Sequence, residues 1–205
     1  MRRFFTFLLT LTAISLTSCG YSTLRDTDEE LKASWSEVLD QYRHRAKLIP
    51  NLDTVFKDAA PGEKGIAIAV ANAQVDAMNI KPTLELINDS LAFENFEAAQ
   101  ARVSAALSRL FLIAERSPEL KANPGYCELQ AQLIKAENSI ALARIRYFNA
   151  AEHHNLVVRM FPSNLTAMLL GYAVKPNLSV HEGEATATLP EGDCGSAGRK
   201  PESSR

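Results

Sequence analysis

Arg45 is the residue of this sequence whose charge most clearly requires a partner. It interrupts an apolar stripe of helical spacing, in the slot between Tyr42 and Ile49, and an unpaired charge buried in a protein costs several kcal/mol. Glu115 and Glu137 lie in segments predicted to pack nearby, so either carboxylate is a candidate partner. Two interpretations stay open. The first, which we favour, is a structural ion pair that fixes how the helices align. The second is a polar site that admits a ligand or partner.

The neighbouring histidines His153 and His154, beside Glu152, raise the question of a metal site. Adjacent helical residues point about 100° apart, so these two rings do not converge on one ion as an i, i+4 pair would. His154 falls on a predicted core stripe and His153 does not. We therefore predict a core histidine with hydrogen-bond partners, and no metal site.

Other catalytic signatures are missing from the sequence, which has no phosphate-binding glycine loop, no Gly-x-Ser-x-Gly turn and no cysteine pairs at zinc spacing. We therefore predict no catalytic residues, no enzymatic activity and no cofactor. The 22 Lys and Arg residues stand against 24 Asp and Glu, for a net charge of -2. Without a basic excess to neutralise phosphates, nucleic acid is not an expected partner.

The amino-terminal residues have the pattern of an export signal. Arg2 and Arg3 precede an apolar run over 4–16, which is shorter than the roughly 20 residues that a membrane-spanning helix needs. The run ends in Leu16-Thr17-Ser18-Cys19, which resembles the lipobox of bacterial lipoproteins. An ordinary signal peptide with an incidental cysteine, or a short membrane helix, is the alternative interpretation.

The lipobox predicts that residues 1–18 are a signal peptide and that Cys19 carries the lipid. Residues 19–26 would then be the anchor and a short tether. Several acyl chains together hold a protein stably at a membrane. Gly20 follows the cysteine, where an aspartate would signal retention in the inner membrane, so we expect a lipoprotein facing the periplasm, with the outer membrane favoured.

Cys127 and Cys194 remain once Cys19 is assigned to lipid. An oxidising periplasm would permit a disulfide that ties the tail to the last long helix. A packed thiol at Cys127 and an incidental Cys194 is the alternative, because sequence alone does not set the geometry of a disulfide.

Long helices account for residues 27–162. A capping box at Thr27 to Glu30 predicts a helix start, and Pro50 predicts a kink because it lacks a backbone donor and crowds the preceding turn. Breaks follow at Pro61-Gly62, Lys81-Pro82 and Ser117-Pro118. The sequence thus predicts an all-α, antiparallel up-down bundle whose first helix is kinked.

The last long helix is predicted over Pro124 to Met160, with Asn123 as its cap. Residues 163–205 should hold a short apolar segment, Leu165 to Leu170, and beyond Tyr172 a flexible tail. The core stripe of the helix repeats every seven residues, at Tyr126, Leu133, Ile140, Tyr147, His154 and Phe161.

Several segments, in this order and spacing, resemble the LemA family. The resemblance implies an antiparallel helical bundle on an amino-terminal membrane attachment, in a family without an assigned enzymatic activity. Beside the family's usual pattern, we expect the shorter lipobox signal of this chain to stand in place of the membrane-spanning helix. The segments are Glu29-Glu30, Trp35, Leu48-Ile49-Pro50-Asn51-Leu52, Leu107-Ser108-Arg109-Leu110, Ser117-Pro118-Glu119-Leu120-Lys121-Ala122-Asn123, Arg146-Tyr147-Phe148-Asn149-Ala150 and Phe161-Pro162.

Taken together, these features predict a membrane-anchored, non-catalytic envelope lipoprotein whose bundle is a scaffold or docking surface. Its expected partners are membrane lipid, through acylated Cys19, and other envelope proteins. Two alternatives remain. The first is a bundle that uses polar residues between its helices to bind a metal or ligand or to catalyse a reaction. The second is a self-assembling structural protein of the envelope.

Overall fold

The computed structural model describes residues 2–178, with side chains from residue 21 onward. This part of the chain is helical and contains no strand, which confirms the predicted all-α class. Two short 3-10 turns, Pro61–Glu63 and Leu84–Asn88, lie in the connections. The helices are α1 (Arg2–Leu48), α2 (Pro50–Ala59), α3 (Lys64–Met78), α4 (Ser90–Ala114), α5 (Pro118–Lys121), α6 (Pro124–Arg159) and α7 (Ser163–Leu170).

Helices α1 and α6 form the antiparallel pair at the centre of the bundle. Trp35 of α1 packs against Tyr147 of α6, and Arg45, further along α1, meets Glu137, which comes earlier in α6. Helix α4 runs parallel to α1 and antiparallel to α6, while α3 packs on α4 and α2. The predicted antiparallel bundle is confirmed.

The predicted kink lies at Pro50. Helix α1 ends at Leu48, and α2 begins at Pro50. Ile49 between them keeps helical backbone angles. The amide of Leu52 donates a hydrogen bond to the Ile49 carbonyl at a distance of 3.0 Å. The break falls here because proline has no N–H to continue the ladder of α1.

Helix α6 begins as predicted. The Asn123 side chain accepts a hydrogen bond from the Tyr126 amide at 3.0 Å, and Pro124 takes the first helical position. The stripe of every seventh residue is buried from Tyr126 to His154. Its last predicted member, Phe161, is 77% exposed because α6 has ended at Arg159.

The prediction that a helix begins at Thr27 is wrong, because α1 already runs unbroken from Arg2. The Thr27 hydroxyl donates to the Leu24 carbonyl at 3.1 Å, within the helix rather than at its start. Leu24 is fully buried and clusters with Val157 and Ala167, so core packing continues past the predicted boundary.

The expected flexible tail is wrong for residues 172–178, which lie along α6. The Asn155 side chain donates to the Lys175 carbonyl at 2.9 Å and accepts from its amide at 2.8 Å. Tyr147 donates to the Pro176 carbonyl at 2.7 Å. The predicted apolar segment is α7, and it ends at Gly171 with a left-handed φ of 77°, as expected for a glycine stop. The rest of the predicted tail, 179–205, lies outside the described residues.

Candidate functional site: a buried polar layer

The Arg45 guanidinium lies fully buried at the middle of the bundle. Its Nη1 donates to Glu137 Oε1 at 2.6 Å and to Ser104 Oγ at 2.8 Å, and its Nη2 donates to Gln100 Oε1 at 2.5 Å. Three helices supply these groups: α1 the cation, α4 the two neutral acceptors and α6 the carboxylate. We call Arg45, Gln100, Ser104 and Glu137 the polar layer.

The carboxylate of the polar layer is held by more than the charge of Arg45. Glu137 Oε2 accepts from the Ser104 hydroxyl at 2.9 Å, so both of its oxygens are bonded. The Glu137 side chain is 14% exposed and that of Arg45 is 0% exposed. Arg45 Nε and Gln100 Nε2 find no acceptor among the described residues. The layer therefore retains a desolvation cost, which favours a role in helix alignment over a large net contribution to stability.

A second charged pair extends the layer toward the surface. Arg144 Nη2 donates to Glu97 Oε1 at 3.0 Å, and its Nη1 donates to the Tyr42 hydroxyl at 3.1 Å. Burial alone would lower the pKa of Arg144, but Tyr42 and Glu97 together raise it above its ordinary value. The Tyr42 ring in turn lies 5.3 Å from Arg45 Cζ, a cation–π distance.

The polar layer divides two apolar clusters. One is built around Phe56, Leu110 and Leu133, and the other around Trp35, Phe93 and Tyr147. Sliding one helix by a turn would take Arg45 away from its acceptors and leave its charge against apolar side chains. The layer is therefore positioned to select one alignment of α1, α4 and α6.

Of the two carboxylates named from sequence, the structure brings Glu137 to Arg45 and not Glu115. Glu115 is exposed and caps the carboxyl end of α4. Gln100 and Ser104 were missed by sequence reasoning. A signal for Gln100 was present, because it stands four residues after Phe96 and three before Val103 on the core stripe of α4.

His154 is a buried histidine, as predicted, with a partner near each ring nitrogen. Its Nδ1 lies 3.3 Å from Thr27 Oγ1, and its Nε2 lies 3.3 Å from the Ala173 carbonyl oxygen. His153 points elsewhere, to the exposed Glu30 at 3.7 Å. In the described residues, no three His, Cys, Asp or Glu side chains are placed to hold a metal ion.

We expect acid to destabilise the bundle through His154. Burial lowers the pKa of His154 below its ordinary 6.5, and Lys175 and Lys32 lower it further, against the Ala173 carbonyl and Asp28, which raise it. The unfolded chain then binds the proton more readily, so the free energy of unfolding falls as pH drops through about 6.5 toward the lower folded-state value. Urea titrations at pH 7.5 and 5.0 should show a larger loss in the parent chain than in His154→Gln. A matching loss in both would contradict this assignment, and His153→Gln, at an exposed site, should behave like the parent.

Cys127 is disulfide-bonded. Its sulfur also lies 3.4 Å from the Lys121 carbonyl oxygen, at the start of α6. The other two cysteines of the chain, Cys19 and Cys194, lie where no side chain is described. The alternative of a packed free thiol at Cys127 is thus excluded.

The helical part of the chain matches a known protein family. A model of the LemA family matches residues 34–191, which is more than half of the chain. No curated protein matches the chain. Within residues 21–178, for which side chains are described, none of the helices combines the length and apolar character needed to cross a membrane.

Proposed function

This chain belongs to the LemA family, and we propose that it is a non-catalytic envelope lipoprotein whose bundle, anchored by lipid, faces the periplasm as a docking surface. The observation that carries the proposal is the polar layer. Its cation and carboxylate bind each other between three helices, so these buried charged groups serve to hold the shape of the bundle. What remains for recognition is the outer surface of the helical bundle.

The anchor rests on the lipobox. In Leu16-Thr17-Ser18-Cys19 the small residues admit a peptidase, and the thiol of Cys19 accepts a diacylglyceryl group. The amine freed by cleavage can take a further acyl chain. Each buried methylene adds about 0.8 kcal/mol of membrane affinity, so two or more chains hold the protein stably where one would not.

The disulfide of Cys127 supports a location outside the cytoplasm, because disulfides persist in oxidising compartments. It also points to Cys194 as the partner. Since α1 and α6 are antiparallel and Thr27 lies beside His154, Cys19 belongs to the other end of the bundle, at least about 40 Å from Cys127. The disulfide would then leave Cys19 free for lipid.

We predict a Cys127–Cys194 linkage in the protein isolated from membranes. Peptide mapping after alkylation without reduction should yield the two cysteine peptides joined, and reduction should separate them. Cys194→Ser should leave Cys127 open to alkylation. Recovery of alkylated Cys127 from the unreduced parent chain would contradict the linkage.

Crosslinking in intact cells tests the docking role. We expect a small, reproducible set of envelope proteins to crosslink to the anchored chain and to be identified by mass spectrometry after detergent extraction. The control is a soluble variant that carries Cys19→Ala and has a conventional cleavable export signal in place of residues 1–18. Partners should be lost or strongly reduced in the soluble variant.

Other outcomes would replace the docking role. Crosslinks between copies of this chain alone would favour the self-assembling structural protein. A metal that co-purifies with the chain and is lost in His154→Ala would favour the metal-binding alternative.

A further inference from the structure

Helix α7 presents an apolar face that no part of the described chain covers. Leu165, Met168 and Leu169 are 55%, 79% and 84% exposed. Their spacing of three and one residues places them on one side of the helix. Phe161, 77% exposed, lies just before the first residue of α7. No residue from Met160 to Val174 is charged.

The opposite side of α7 fixes where this face lies. Ala167 is buried in a cluster with Leu24 of α1 and Val157 of α6. Leu24 follows Cys19 by five residues on the same unbroken helix, a rise of about 8 Å. The apolar face therefore lies at the end of the bundle that carries the proposed lipid, within one or two helical turns of it.

We propose that this face of α7 contacts the lipid bilayer and is a second membrane attachment beside Cys19. The inference rests on the proposed anchor, because acyl chains at Cys19 bring the membrane surface to the level of α7. Apolar side chains of interfacial helices enter the bilayer by about 5–10 Å, and Leu24, which packs against Ala167 of α7, lies about 8 Å along α1 from Cys19. Arg159, exposed and directly before the uncharged run, is placed to meet lipid phosphate.

The second attachment would set the orientation of the bundle. A lipid at Cys19 alone leaves the rod free to tilt about one point. With α7 also in contact, the bundle is held at two points, and the end that contains α2 and α3 faces away from the membrane.

The test places an indole at position 168 and measures quenching by brominated lipid. The full chain, exported, acylated and purified in detergent, is reconstituted into vesicles of phosphatidylethanolamine and phosphatidylglycerol with brominated acyl chains. Met168→Trp adds a fluorophore at an exposed site, and the native Trp35 is buried in the core of every variant. The matched control is Gln132→Trp, at an exposed position of α6 about 40 Å further along the bundle.

We expect the added fluorescence of Met168→Trp to be quenched about twofold or more relative to unbrominated vesicles, because the indole would sit in the interfacial layer. Gln132→Trp should show no added quenching. If the chain floats with the vesicles but Met168→Trp and Gln132→Trp are quenched to the same extent, the bilayer contact is overturned and the anchor is left intact. A blue-shifted but unquenched Met168→Trp overturns it in favour of a second copy of the chain on this face. A chain that does not float with vesicles overturns the anchor, and the contact with it.

Discussion

Replacement of Glu137 by leucine is expected to destabilise the bundle by about 3 kcal/mol or more, because it leaves the Arg45 charge buried without a carboxylate. Arg45 has 0% side-chain exposure and cannot turn to solvent without opening the contact between α1, α4 and α6. Ser104 and Gln100 would still accept hydrogen bonds from Arg45, but neither carries a negative charge. Urea denaturation followed by far-UV circular dichroism measures the loss.

Two variants make the result specific to the ion pair. Glu115→Leu removes a carboxylate of the same type from an exposed position, and it should change the free energy of unfolding by less than about 0.5 kcal/mol. Arg45→Met combined with Glu137→Leu should recover most of the lost stability, because a buried pair replaced by apolar side chains is often neutral or stabilising. If the double variant is no more stable than Glu137→Leu, the cost arises from packing at position 137 and not from the unpaired charge.

The soluble variant described above, with Cys19→Ala and a conventional cleavable signal, should move from the membrane fraction to the soluble periplasmic fraction. Removal of the acyl chains takes away the main source of membrane affinity, and the α7 face alone is small. Fractionation and immunoblotting measure the shift. Cys194→Ala, which changes a cysteine not assigned to lipid, should stay in the membrane fraction. Unchanged membrane association of the soluble variant would contradict anchoring through Cys19.

Much of the fold follows from local sequence rules. The cap at Asn123 and the seven-residue stripe of α6 depend on neighbours one or two turns away, so they are readable from sequence, as is the break at Pro50. Arg45 could be recognised as a buried charge because it interrupts an apolar stripe. That Arg45 binds Glu137 and not Glu115 could not be predicted from sequence, since the pairing depends on how far α6 is shifted along α1.

The two wrong predictions, the helix start at Thr27 and the flexible tail over 172–178, also concern contacts between distant residues. Thr27 to Glu30 have the residue types of a capping box, but tertiary contacts of Leu24 with Val157 and Ala167 favour the continued helix over the cap. The segment 172–178 has no periodicity because separate contacts hold it: the hydrogen bonds between Asn155 and the Lys175 backbone, and the burial of Leu178 in the cluster around Trp35. Such contacts join residues distant in sequence and leave no repeating pattern.

The mass of the intact protein extracted from membranes shows whether Cys19 carries lipid. We predict a chain that begins at Cys19 and carries the added mass of a diacylglyceryl group, with or without a further acyl chain. Fragmentation should place that mass on Cys19. A chain that retains residues 1–18 and has no added lipid would contradict anchoring through Cys19, because the bundle would then be held at the membrane by the uncleaved amino-terminal part of α1.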